Sequence, residues 1–151
     1  YARDEFNLLL GERQAEDIKI KIGSAMELSE PLQYPMRGRD LLSGLPKEVM
    51  ISDAQVREAI IKSLRAIVDN VKATLETSPP ELIADIHERG ILISGGGALL
   101  RGIDRLIARA TEIPVRIADD PLTSVVRGNG FLLDNMDLLR EVAIYSPLHR
   151  Q

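Results

Sequence analysis

Three consecutive glycines, Gly95, Gly96 and Gly97, sit between the apolar run Ile91-Leu92-Ile93 and the stretch Ala98-Leu99-Leu100-Arg101-Gly102. The apolar run reads as a buried strand, the glycines as a turn, and the stretch from Ala98 as the start of a helix. Glycine lacks a Cβ, so backbone there can approach a ligand closely and adopt positive φ. A helix beginning at such a turn offers unpaired N–H groups and the positive end of its dipole to a phosphate or a polar ligand edge. A single glycine would be read as a tight turn that binds nothing. Three in a row favour a loop that contacts a nucleotide.

Known phosphate loops fit this stretch poorly. Walker A needs Lys-Ser/Thr after its last glycine, where this sequence has Ala98-Leu99. A dinucleotide fingerprint fits better: Gly95-x-Gly97 is present, and Asp119 or Asp120 supplies an acid about 20 residues on. Its sixth position, however, is Leu100 where glycine or alanine is wanted. His87 and His149 are too far apart in sequence for a metal-ligand spacing, and His87 reads as a surface residue of its helix. The Asp119-Asp120 pair suits helix capping better than a hydrated Mg²⁺. Ser94 precedes the glycines, but no nucleophile elbow surrounds it. Glu16 and Lys19 are three apart and share a helix face, where a solvated ion pair is the simpler reading of spacing alone. Arg37 and Arg39 alternate along a strand and suit a charged edge better than an acidic ligand.

The chain that must position these residues has 151 residues, 44% apolar and 28% charged, with aromatics at only 3%, so its core is aliphatic. A net charge of −4 argues against nucleic acid as a partner. The absence of cysteine excludes disulfides, thiolate metal sites and a cysteine nucleophile, and is compatible with a reducing cytosol. No apolar run approaches the ~20 residues of a membrane span. The first residue is Tyr1 and not methionine, which suggests a fragment.

Residues 1–10 read as the tail of a helix begun upstream, and Glu12 to Gly23 as a helix with Ala15, Ile18 and Ile22 on one stripe. The alternation of Ile18, Ile20 and Ile22 leaves a strand possible there. Prolines at 31, 35 and 46 exclude a long helix between Met26 and Asp53, where Leu32–Arg39 and Lys47–Ser52 read as short strands. Ser52 and Gln55 form a capping box that opens the longest helix, about 53–76, with an apolar stripe from Val56 to Leu75. A helix from Ser78-Pro79-Pro80 buries Leu82, Ile83 and Ile86 and ends at Gly90. The helix after the glycines runs to about Ala110 with Leu99, Leu100, Ile103, Leu106 and Ile107 inward, and Ile113–Ala118 completes a βαβ unit. Asp120 caps a further helix at Pro121 that carries Leu122, Val125 and Val126. Residues 134–151 end in a polar, frayed tail.

The residues carry a family resemblance. Ile93-Ser94-Gly95-Gly96-Gly97-Ala98-Leu99-Leu100-Arg101-Gly102, then Ile113-Pro114-Val115 and Asp119-Asp120-Pro121-Leu122-Thr123, resemble the C-terminal part of MreB, the bacterial actin-like family that determines rod shape. Asn7–Arg13, Ile18–Ala25, Arg37–Leu41, Gly44–Pro46 and Pro79–Leu82 match the same family in the same order. The likeness covers at least residues 6 to 130. It implies an α/β, actin-like (ribonuclease H-like) ATPase-domain fragment. On that likeness residues 1–52 would form a small α+β lobe (IIB-like) and 53–120 a βαβ core lobe (IIA-like), and residues 121–151 would be a helix returning toward the first domain, its apolar face exposed, plus a tail. Gly95, Gly96, Gly97, Ala98, Leu99 and Leu100 would lie against the adenosine of ATP. Glu16-Asp17-Ile18-Lys19 would supply the facing helix segment, with a carboxylate for ribose hydroxyls and an ammonium stem for the base or ribose.

The family's phosphate loops, its water-positioning glutamate and its membrane-inserting elements have no counterpart here. The resemblance therefore implies half of an ATP cleft, with Mg²⁺ held by the other half, and no useful hydrolysis by this chain alone. It implies a cytoplasmic, membrane-associated filament that partners itself and the cell-wall elongation machinery at the inner membrane. The competing expectations are a dinucleotide-binding oxidoreductase fragment and a chaperone-type ATPase of the same superfamily, which should lack Arg37-Gly38-Arg39-Asp40.

Overall fold

A computed structural model describes residues 1–143. Its longest helix, α3 (Asp53–Thr77), begins at the expected capping box. The Gln55 amide donates to Ser52 Oγ at 3.3 Å, and the Ser52 amide donates to Gln55 Oε1 at 3.0 Å. The helix joins two apolar clusters. Its first turn contributes Val56 to one of them, with Leu8, Ile18, Ile22, Met36 and Ile51. A few turns on, Leu64 joins Ala25, Ile103 and Ile107 in the other. The boundary expected at 52/53 thus falls at the start of an element that serves both clusters.

The first cluster lies between helix α2 (Glu12–Ile22) and an antiparallel sheet of β1 (Leu8–Leu9), β2 (Gln33–Asp40) and β3 (Pro46–Ser52), in the order β1-β2-β3. The alternation of Ile18, Ile20 and Ile22 resolves as helix: Ile18 and Ile22 are four apart and bury together, while Ile20 stays 61% exposed. Residues 1–10 differ from the expected helix tail. Helix α1 spans only Ala2–Phe6, and Asn7, at φ 50°, turns the chain into β1. β1 pairs through Leu8↔Asp40 and Leu9↔Arg39, so β2 is flanked on both sides at that end and is not an edge strand there. Arg37 is occupied by a cross-strand ion pair with Glu48, directly opposite in register.

The second cluster supports the expected βαβ unit. Strands β4 (Ile91–Ile93) and β5 (Val115–Ile117) pair in parallel, with helix α5 (Ile103–Thr111) between them in sequence. The glycine stretch does not run straight into that helix. Gly96–Leu99 forms one 3₁₀ turn, and Gly102 at φ 77° interrupts before α5 begins. The dipole of α5 therefore starts at Gly102–Ile103, and the expected helix N-terminus at Gly95–Gly97 is absent. Leu99, expected to face inward, is 56% exposed.

Helix α4 (Pro80–Arg89) starts and stops at its proline and Gly90 signals, yet buries nothing fully. Its Leu82, expected inside, is 52% exposed, while Ile83 and Ile86 are half-buried. Helix α6 (Ser124–Asp134) begins later than Pro121, with Thr123 and not Asp120 at its N-cap position, and it continues through Gly128 and Gly130. Asp120 instead braces the preceding turn: its carbonyl accepts from Ser124 Oγ at 2.8 Å, and its carboxylate pairs with the Thr123 hydroxyl. Helix α7 (Met136–Val142) comes next. The expected frayed tail at 144–151 lies outside the described residues. No helix among the described residues is long and apolar enough to cross a membrane.

Candidate functional site

Glu16, Lys19 and Ile20 lie on one face of α2, and Gly23 follows directly after its last residue, Ile22. That face forms one wall of a cavity of about 660 Å³. The size is within the ~300–1,000 Å³ range of small-molecule sites. The opposing wall is Gly96, Gly97, Leu99, Leu100 and Arg101. Ile60, Ser63, Leu64 and Ile67 of α3 and Ile103 of α5 complete the lining, together with Leu122. The lining is mainly aliphatic, with charge from Glu16, Lys19 and Arg101.

The sequence-predicted residues divide according to the helix and turn geometry. Glu16 and Lys19 line the cavity, and among the described residues no ion pair joins them. Asp17 and Ile18 project from other sides of α2, because each helical step rotates the side chain by about 100°. Asp17 accepts from the Tyr34 hydroxyl at 2.7 Å, a bond that holds the phenol pKa above its ordinary value. Ile18 is 4% exposed in the first cluster. Neither residue lines the cavity.

The glycines divide as well. Gly95 sits at φ 83°, ψ 173°, a conformation close to glycine-only, and its amide donates to the Pro121 carbonyl at 2.7 Å. Its role is to fold the turn. Ala98 is buried beneath the turn, and its amide donates to the Gly95 carbonyl at 3.1 Å. Gly96 and Gly97 face the cavity. A Cβ on Gly97 would meet nothing within 4 Å, and one on Gly96 would meet only Leu122 Cδ2 at 3.6 Å. The fold leaves room for side chains there, and that room is part of the cavity.

Residues that sequence reasoning did not assign to the site are Ile20, Gly23, Ile60, Ser63, Leu64, Ile67, Arg101, Ile103 and Leu122. Ile20 had a signal: it is an isoleucine off the apolar stripe of its own helix. The α3 residues had none, because only tertiary packing brings that helix under the cavity. Asp119 and Asp120, the acids of the dinucleotide alternative, are exposed and do not line the cavity. Among the described residues no group of three or more His, Asp or Glu side chains is placed to hold a metal ion.

Comparison with known proteins gives one direction. Residues 1–141 match the family described as MreB/Mbl protein. The chain is 46% identical over 139 residues to the cell shape-determining protein Mbl of Bacillus subtilis (strain 168), covering 92% of this chain and 42% of that protein. It superposes on the crystal structure of MreB5 of Spiroplasma citri bound to AMPPNP with a TM-score of 0.87 at 38% identity, covering 93% of this chain and 42% of that one. The ADP-bound MreB5 structure gives a TM-score of 0.88 at 37% identity, covering 95% of this chain and 44% of that one. The chain thus spans less than half the length of the proteins it matches.

Proposed function

The chain belongs to the MreB/Mbl protein family, and from that premise we propose that it forms the nucleoside-binding half of an ATP cleft in an actin-like filament protein that determines cell shape. Its fold is actin-like. One observation carries the reading: Glu16 and Lys19 share a cavity with Gly96 and Gly97, though more than 70 residues separate the two pairs in sequence. The MreB5 neighbours, bound to AMPPNP and ADP, support an adenine nucleotide as occupant.

In this reading the Glu16 carboxylate accepts hydrogen bonds from ribose hydroxyls. The Lys19 stem lies along the base or ribose. The backbone at Gly96 and Gly97 approaches closely because no Cβ intervenes, and Leu99, Leu100 and Ile20 cover the base with aliphatic surface. The nucleotide would supply a triphosphate whose Mg²⁺ is held outside this chain. The residues here bind and orient the nucleoside and exclude water; they do not position phosphates for transfer. The role is therefore structural, with the nucleotide biasing the subunit between conformations that polymerise differently. A cytoplasmic filament at the membrane that organises the cell-wall elongation machinery completes the reading.

Titrating the chain with ATP while monitoring backbone amide resonances tests it. Weak, saturable shifts at Lys19, Gly96 and Gly97 are expected. NAD shares the adenosine moiety, so it separates the dinucleotide reading only by what else it moves. Tighter binding of NAD than of ATP, with shifts at Asp119 and Asp120, overturns the proposal.

A further inference from the structure

The two walls of the cavity meet at one place. Ser24, just beyond the C-terminal end of α2, pairs in parallel with Arg101, at the end of the glycine wall. The Ala25 amide donates to the Arg101 carbonyl at 2.7 Å. The packing there is tight: a Cβ on Gly23 would lie 2.3 Å from the Lys19 carbonyl oxygen and 3.2 Å from Leu100 Cδ1. Arg101 adds a second tie through its side chain. Its Nη1 donates to the Ile20 carbonyl at 3.3 Å and to the Gly23 carbonyl at 3.4 Å. Carbonyls in a last helical turn have no partner within the helix, and a cation there also meets the negative end of the dipole. The turn held in this way carries Lys19 and Ile20, both of which line the cavity.

The junction is anchored from below. Ser24 is fully buried, and its Oγ accepts from Arg57 Nη1 at 2.8 Å. The same nitrogen donates to the Met26 carbonyl at 3.1 Å and to Asp53 Oδ2 at 3.2 Å. One side of the junction is therefore locked to α3, and the Arg101 side chain fixes the angle of the other. We propose that Arg101 is a positioning residue for the nucleoside. By joining the end of the glycine wall to the last turn of α2, it sets the spacing between Lys19 and the backbone of Gly96 and Gly97. This rests on the nucleoside reading of the cavity.

The test compares Arg101→Met and Arg101→Lys with the wild-type chain, by ATP titration and by amide hydrogen exchange without ligand. Met keeps the aliphatic stem and removes the donors; Lys restores one donor group. Arg101 is exposed, so the unfolding midpoint of Arg101→Met should stay close to that of wild type. ATP affinity should fall several-fold, exchange should quicken only around residues 20–25 and 96–101, and Arg101→Lys should recover part of both. Unchanged affinity in Arg101→Met overturns the assignment of Arg101 alone. So does a lowered midpoint with exchange faster throughout the chain, which is the mark of a purely structural tie. Absence of ATP binding by the wild-type chain overturns the nucleoside reading itself, and the assignment with it.

Discussion

At the scale of single residues, the three glycines that look alike in the sequence do different work. Gly95 holds a backbone conformation that costs an L-residue roughly 1–3 kcal/mol, while Gly97 faces open space. Gly95→Ala should therefore destabilise the chain by about that amount in urea unfolding. Gly96→Val should leave stability much less affected and weaken ATP binding, because a β-branched side chain then stands where the backbone should meet the ligand. Equal affinity for Gly96→Val and wild type would return Gly96 to a plain turn residue. The glycine run stood out as a candidate ligand loop from its place between an apolar run and a helical stretch. Which glycine folds the turn and which faces the cavity was not legible, because that depends on φ and on what lies across the gap.

At the scale of elements, the β2–β3 hairpin shows how a carboxylate shapes a loop. Asp40 Oδ1 accepts from the amides of Leu42 and Ser43 at 2.9 and 2.8 Å, and Lys47 Nζ lies 2.8 Å from Oδ2. The Lys47 ammonium, together with those amides and the Ser43 hydroxyl, holds the Asp40 carboxyl well below the usual carboxylate range. A depressed folded pKa stabilises the fold above the unfolded value, and that contribution is lost as pH falls through the folded one. The acid limb of the stability profile, below about pH 4, should thus be shallower in Asp40→Asn than in wild type. Urea unfolding across that range measures the difference, and parallel limbs would show that Asp40 does not carry it. Helices α2, α3 and α4 and the two long strands were readable from period, caps and prolines, which act locally. The short α1 and the break before α5 were not, because a single left-handed residue decides each, Asn7 where α1 ends and Gly102 where α5 begins, and sequence pattern does not reveal it.

At the scale of the whole molecule, α6 and α7 leave large apolar side chains exposed. Val125 is 71% exposed, Phe131 59% and Leu133 66%. The family resemblance implies an exposed apolar face on this helix, and its apolar side chains are exposed on more than one side. Phe131→Asp should change the stability of the isolated chain by less than about 0.5 kcal/mol, and it should reduce concentration-dependent association in sedimentation velocity. A large loss of stability would mean that Phe131 is packed. By itself, the sequence determined the aliphatic core, the capping box of α3, the parallel βαβ unit and the glycine turn, because each is written in residues close together along the chain. Only the tertiary structure decided that Glu16 and Lys19 face the cavity while Asp17 and Ile18 do not. It alone placed α3 beneath the cavity and Arg101 at the junction of its walls. These depend on helix rotation and on contacts between residues far apart in sequence, which no local pattern encodes.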